Sequence, residues 1–239
     1  MTIPPPNADI ERLYGFHTVE EALKNPQRKF IRLLATKNAI ARLAGEITAA
    51  DLVPEESNPR DLDRLLGPDA VHQGLILDCK PLRQPRLDQI PREGVVVLLD
   101  QITDPHNVGA IMRSCAAFAV TAMVATARHS PEASGVLFKA ASGAYEHLPF
   151  AKVTNLARAM DELRGYGFRL VGLDSEGETA IADTVPDRPV ALVLGAEGKG
   201  LRQLTRKTCD EVVRIDMPGA IKSLNVSNAA AIALYALKG

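Results

Sequence analysis

The chain has no tryptophan, and aromatic residues fill only 4% of its 239 positions, so an ordinary apolar share of 46% is mostly aliphatic. It has only three cysteines, Cys79, Cys115 and Cys209, far apart and without a CxxC pair. That spacing argues against structural zinc and for reduced thiols in a cytoplasm. The formal net charge is −1, so no gross basicity advertises nucleic acid, and any RNA contact must be a local patch. The longest apolar run, near the C-terminus, is too short to span a bilayer. The opening MTIPPPNADIER is polar and Pro-rich, unlike a secretory signal. There is no internal repeat and no low-complexity tract. The expectation is a soluble cytoplasmic protein of one large or two modest domains.

What is present concentrates in Val190 to Tyr235. Val190 to Leu194 is an apolar run ending at Gly195, which reads as a buried parallel strand stopping at a glycine turn. A second short strand, Val212 to Ile215, ends at Met217-Pro218-Gly219. Ser223-Leu224-Asn225-Val226-Ser227-Asn228 then opens an Ala-rich final helix. Open α/β sheets bind ligands beyond the carboxyl ends of their strands, and two such ends arrive here. Gly195-Ala196-Glu197-Gly198-Lys199-Gly200 is not a phosphate loop, because the Walker spacing and the Ser or Thr after Lys are both missing. Taken alone it is a strand-to-helix turn whose glycines relieve backbone strain. The Ser and Asn residues from Ser223 admit two readings, a helix N-cap or a polar ligand site.

In chain order, Met1 to about Arg12 reads as a loose leader. Residues 13–80 form a small α/β pattern, with a helix around Val19 to Leu23 and a strand at Phe30 to Ala35. Helical periodicity follows over Asn38 to Ala50 and Arg60 to Leu66, then a strand over Gly74 to Asp78. PLRQPRLDQIPREG, residues 81–93 with the first Gly beyond, has three prolines and reads as an interdomain linker. From Gly94 to residue 239 strands and helices alternate: Val95 to Leu99, Asn107 to Phe118, Ala122 to Ala125, Pro131 to Ala141, His147 to Val153, Asn155 to Arg164 and Phe168 to Leu173. That alternation implies a parallel sheet covered on both faces.

A second polar cluster, DQITDPHNVGAIMR, follows the first strand of this C-terminal domain. Asp104 or Asn107 suits a helix cap and Pro105 a first helical position. Arg113 stands among apolar residues, and its fork of donors must find a carboxylate or a phosphate. A structural salt bridge is the alternative.

Three segments, DPHNVGAIMRS, LGAEGKGL and IDMPGAIKSLNVSNAAAIALY, resemble in order and spacing the signature motifs of the SpoU (TrmH-like) branch of the SPOUT RNA methyltransferases. LYGFHTVEEALKNP and the His72-Gln73-Gly74 triplet resemble that family's ribosomal-protein-like RNA-binding domain. The two-part layout is most similar to bacterial 23S rRNA guanosine 2′-O-ribose methyltransferases. The resemblance implies a parallel sheet ending in a deep trefoil knot, although knots are nearly absent elsewhere. It implies S-adenosylmethionine as cofactor, held by Gly195, Ile215 and Leu224 with Met217 and Pro218 alongside. It places Asn107, Arg113, Glu197, Ser223 and Asn225 at catalytic positions, and it implies a homodimer.

The reaction implied is attack of a ribose 2′-hydroxyl on a sulfonium methyl, which needs an aligned hydroxyl and help in losing its proton. Guanidinium stays protonated in proteins, so Arg113 is expected to grip the adjacent phosphate and stabilise the developing alkoxide rather than act as a base. Glu197 is expected to orient either Arg113 or the helix opening at Asn107. Two departures from the family pattern stand out: Ala119 occupies a position usually Gly, and Asn228 one expected to be apolar, giving the last helix an extra polar contact. Lys24, Arg28, Lys29 and Arg32 form one basic cluster, and Lys199, Arg202, Arg206 and Lys207 another; each is either solvated surface or a phosphate contact. The histidines, His17, His72, His106, His129 and His147, show no metal-ligand spacing, and His106 is the one expected near the site. Alternatives to an rRNA methyltransferase are a tRNA 2′-O-methyltransferase, a non-catalytic RNA-binding or ribosome-assembly factor, and a nucleotide switch.

Overall fold

The structure is a computed structural model that describes residues 9–67, 69–184 and 189–238, so residues 1–8 of the expected leader lie outside it. The N-terminal elements are β1 (Glu11–Tyr14), α1 (Phe16–Lys24), β2 (Phe30–Ala35), α2 (Lys37–Arg42), α3 (Ala44–Ala49), β3 (Glu55–Glu56), α4 (Pro59–Leu66) and β4 (Leu75–Cys79). Then come β5 (Val95–Asp100), α5 (Pro105–Ala117), β6 (Ala122–Thr126), α6 (Gly135–Ala141), β7 (Phe150–Val153), α7 (Leu156–Gly165) and β8 (Arg169–Leu173). The chain finishes with β9 (Thr179–Ala180), β10 (Val190–Gly195), α8 (Gln203–Thr208), β11 (Glu211–Arg214) and α9 (Val226–Lys238). Among the described residues no helix is long and apolar enough to cross a membrane.

These elements form two compact units: Met1–Arg83 with Glu132–Glu146, and Gln84–Pro131 with His147–Gly239. The first holds a mixed sheet in the order β1-β4-β2-β3, antiparallel except for the β2/β3 pair. Helix α6, placed by the sequence between two strands of the second unit, packs here on β1. Glu11 and Arg12, expected in the leader, are buried in β1. Their charges are matched inside the unit, which is why a strand so polar can be buried. Arg12 Nε donates to Asp78 Oδ1 (2.7 Å) and Arg12 Nη2 to Asp78 Oδ2 (3.0 Å). Burial alone would raise the Asp78 carboxyl, but hydrogen bonds from Arg12 and Arg32 outweigh it and hold it below the ordinary range.

Arg28 is the centre of this unit's interior. Its side chain is 0% exposed and donates to Glu11 and Glu146, with Nη2 2.7 Å from Glu146 Oε1. Arg32 donates to Asp78 (2.8 Å), and Lys24 pairs with Glu20 and Glu21. Most of the basic cluster expected to meet phosphate is thus ion-paired, and Arg28 is inaccessible. The His72-Gln73-Gly74 triplet also has local work. His72 Nδ1 accepts from Gly74 N (2.9 Å), its Nε2 lies 3.1 Å from Asp63 Oδ1, and Gln73 Oε1 accepts from Phe16 N (2.9 Å), the first N–H of α1.

The second unit holds a seven-stranded sheet in the order β7-β6-β5-β10-β8-β11-β9, every neighbouring pair parallel. Residues Val95 to Asp100, Ala122 to Thr126 and Val190 to Leu194 are buried throughout, as a sheet covered on both faces requires. One side is closed by Leu156, Met160 and Leu163 of α7 against Val96, Val124 and Val193. The chain leaves β10, passes over β8 to β11, then returns to lay α9 on α5.

Several boundaries differ from the sequence reading, each for a local reason. The strand expected from His147 starts at Phe150, because Pro149 has no N–H to give a ladder. The helix expected from Pro131 starts at Gly135, capped by Ser134, whose Oγ accepts from Leu137 N (3.4 Å). The helix over residues 38–50 is two helices meeting at Leu43, two residues before Gly45. Within the stretch read as linker, a short turn buries Leu87 and Ile90 in the second unit's core.

Helix α5 ends in a Schellman motif: Val120 N donates to Cys115 O (2.9 Å) and Ala119 N to Ala116 O (3.2 Å). The motif needs a left-handed residue, and Ala119 supplies it at φ 48°. This is the position where the family pattern has glycine, and alanine there carries steric strain of about 1–2 kcal/mol. Ala119→Gly is expected to raise stability by about 1 kcal/mol after glycine's greater unfolded-state entropy is subtracted. A melting temperature about 2–4 °C higher would register it, and a lower one would refute the strain. Asn228, by contrast, is exposed and its side chain makes no hydrogen bond among the described residues, so the extra polar contact expected there is not formed.

Candidate active site

The carboxyl ends of β5, β8, β10 and β11 deliver the loops that form the site, as the strand rule anticipates. β10 ends at Gly195, and the loop after it doubles back so tightly that Ala196 and Gly200 form a β-bridge and Gly200 N donates to Ala196 O (2.9 Å). A Cβ on Gly195 would overlap the Gly200 carbonyl group, so the wall here must be backbone.

Beside this loop lies a cavity of about 210 Å³. Leu173, Leu194, Ile215, Met217 and Leu224 give it apolar walls, while Asp174, Glu197, Lys222 and Ser223 form its polar part. Of the residues expected to hold a cofactor, Gly195, Ile215, Met217 and Leu224 line it. Pro218 does not line this cavity and is exposed. An apolar slot with a charged and hydroxylated margin fits a ligand that carries a flat base at one end and charges at the other.

A second cleft of about 460 Å³ shares Ala196, Glu197 and Val226 with the first and adds Asn107, His129 and Lys199. Between the two runs a directed chain of amides. Asn225 Nδ2 donates to Asn107 Oδ1 (2.9 Å), and Asn107 Nδ2 donates to Glu197 Oε2 (3.4 Å). Asn225 Oδ1 meanwhile accepts from Ser227 N (2.8 Å) and Ser227 Oγ (2.6 Å), which caps α9. One residue therefore serves as helix cap and as partner of Asn107. Asn107, the middle member, stands in the first turn of α5, which Asp104 caps by accepting from His106 N (3.0 Å). Glu197 meets the helix at Asn107, the second of the two orientations expected for it.

Not every expected residue joins this group. Ser223 lines the first cavity rather than the amide chain. The Arg113 side chain is exposed on α5 and makes no ion pair or hydrogen bond among the described residues, so the salt-bridge alternative is not realised. It lies six residues past Asn107, which on a helix is roughly 9 Å along and about 120° around from it. His106 is exposed and absent from the cleft, whereas His129 borders it. Of the second basic cluster, Arg202 pairs with Asp100 and Arg206 with Asp174 and Glu176. The motif spacing does not single out Asp100 or Asp174, yet each is the acid that ends an apolar strand run, and that placement is a readable signal.

The model described as the SpoU rRNA Methylase family matches residues 94–235. The chain belongs to the SpoU rRNA methylase family. A second, described as RNA 2′-O ribose methyltransferase substrate binding, matches residues 12–85. Among SpoU relatives, the 23S rRNA (guanosine-2′-O-)-methyltransferase RlmB of Yersinia pestis is 36% identical over 94% of this chain and 95% of its own. The Escherichia coli K12 protein of the same name is 35% identical over 94% and 96%. The crystal structure of the SpoU methyltransferase AviRb from Streptomyces viridochromogenes in complex with the cofactor AdoMet superposes with TM-score 0.81. It is 26% identical and covers 96% of this chain and 89% of that one.

Proposed function

We propose that this SpoU methyltransferase transfers a methyl group from S-adenosylmethionine to the ribose 2′-hydroxyl of a guanosine in 23S rRNA, in the cytoplasm. The observation that carries the reading is the Asn225–Asn107–Glu197 chain set between two adjoining clefts. When bound, S-adenosylmethionine supplies an electrophilic methyl on a positively charged sulfur. The residues of the first cavity hold that cofactor, with apolar walls for its base and the carboxylates of Asp174 and Glu197 for its charge. Asn107, locked from both sides, presents a fixed amide to the neighbouring cleft and orients the ribose there. Lys199 and His129 flank the same cleft and suit RNA phosphate. Arg113, which has no acidic partner among the described residues, reaches for a phosphate of bound RNA and stabilises charge developing on the hydroxyl oxygen.

The family's threaded C-terminus fits the return of the chain from β11 to α5, and we take the knot as part of this reading. Pairing of two copies is supported by α9, where Tyr235 is 72% exposed and meets Phe118 of α5 edge to face, with Ile232 exposed one turn before.

Methyl-labelled S-adenosylmethionine with unmodified 23S rRNA and tRNA transcripts tests the assignment, the label being mapped by nuclease digestion. Label on one 23S guanosine ribose is expected. Arg113→Lys keeps the charge but loses the fork, and its turnover should fall about a hundredfold. Native turnover in that variant would remove Arg113 from the chemistry. Label on tRNA alone would move the substrate and leave the reaction unchanged.

A further inference from the structure

A carboxylate stands at or just past the end of each strand that flanks β10, and both carboxylates hold the far end of the glycine loop. Asp100, the last residue of β5, sits in register with Gly195. Its side chain is 0% exposed, and both oxygens go to one residue. Oδ2 accepts from Arg202 N (3.0 Å) and Oδ1 from Arg202 Nε (2.6 Å). Asp174, one residue beyond β8, accepts from Leu201 N at Oδ2 (3.3 Å) and from Arg206 Nη1 at Oδ1 (3.4 Å). Between Gly195 and Leu201, the bonds inside the loop among the described residues are only those that Lys199 N and Gly200 N donate to Ala196 O. The loop is rich in glycine, and its exit is fixed from outside.

A buried carboxylate is costly to the fold unless it is paired, and an apolar residue would end β5 at less cost. The pairing does not strengthen the sheet, since it reaches across to the loop's last residue. We propose that Asp100 is a positioning residue for the cofactor. By gripping Arg202 it sets where the loop closes, and hence the shape of the backbone wall at Gly195, without touching the cofactor or the RNA. Asp174 is the second anchor and also lines the cavity, so Asp100 is the cleaner residue to test. The inference rests on the methyl-transfer reading above.

Asp100→Asn keeps the size and one acceptor but turns a donor toward Arg202. Arg202→Met removes the guanidinium and keeps the backbone bond. Both are made in the full chain, and S-adenosylmethionine binding is titrated by calorimetry beside thermal unfolding without cofactor. Loss of a charge-assisted bond predicts a Kd raised about tenfold or more for Asp100→Asn and a smaller rise for Arg202→Met. In turnover, the loss falls on KM for the cofactor more than on kcat. A variant that melts lower but binds within about twofold of native has lost only structure, and the proposal fails. Should Asp100→Asn not fold, Arg202→Met, altered at a half-exposed side chain, decides by the same twofold limit. If the native chain does not bind the cofactor, the methyl-transfer reading itself falls and takes the anchor with it. The native titration separates that outcome from failure of the anchor alone.

Discussion

Gly195→Ala is expected to bind S-adenosylmethionine about a hundredfold more weakly than the native chain. The added methyl would sit inside the Gly200 carbonyl group, and neither residue can swing aside, because both clashing partners are backbone. The loop must open, and opening it pulls against the anchors at Leu201 and Arg202. Gly198→Ala provides the comparison. Gly198 has φ 76° and nothing within 4 Å of an added Cβ, so alanine there meets only backbone strain. That strain is about 1–2 kcal/mol, and its effect on binding should be about tenfold at most. Equal losses in the two variants, measured by titration with cofactor, would show that closure of the loop at Gly195 is not what shapes the wall.

Arg28→Met should destabilise the first unit by about 3–5 kcal/mol, the usual result of removing one member of a buried ionic group. Methionine keeps the apolar stem but leaves Glu11 and Glu146 facing each other in the interior. In the native chain burial already pushes the Glu11 carboxyl above its ordinary value of 4.5, with Arg28 pulling it down and Glu146 adding to the rise. Without Arg28 the rise must grow. A carboxyl raised in the folded state binds a proton more tightly there than in the unfolded chain, so acidification favours folding. The variant's thermal midpoint should therefore climb as pH is lowered from 7 toward the ordinary 4.5. Adding Glu11→Gln and Glu146→Gln to the variant should recover much of the loss, since what is removed is unpaired charge. A variant that melts like the native chain at pH 7 would mean that water reaches these carboxylates.

The parts of the fold that sequence revealed are those where one residue's neighbours in the chain are also its environment. Val95 to Leu99 and Val190 to Leu194 are apolar throughout because both faces of that sheet are covered, and Gly195 marks where the second run must turn. Asn107, Glu197 and Asn225 are named through the resemblance to the SpoU motifs, yet only folding shows that they form one directed chain. What stayed hidden depends on partners far along the chain. Arg28 reads as surface until Glu146, 118 residues later, is seen beside it. Arg113 has apolar neighbours in sequence but projects from α5 into solvent, because a helix turns its residues apart. Leu87 and Ile90 lie in a polar, Pro-rich stretch whose composition masks two buried side chains.

Arg28 also bears on how the protein is made. A ribosome releases the chain from its N-terminus, and domains generally fold as they emerge. Here the counter-ion Glu146 and the whole of α6 leave the ribosome after β5 and β6, which belong to the other unit. The first unit must therefore wait, with a cation prepared for burial and only one of its two carboxylates at hand. A gene fragment cut at the polar stretch after residue 80 would make that pause permanent. Its product would present an unfinished interior to any chaperone, where a separately expressed N-terminal unit was intended.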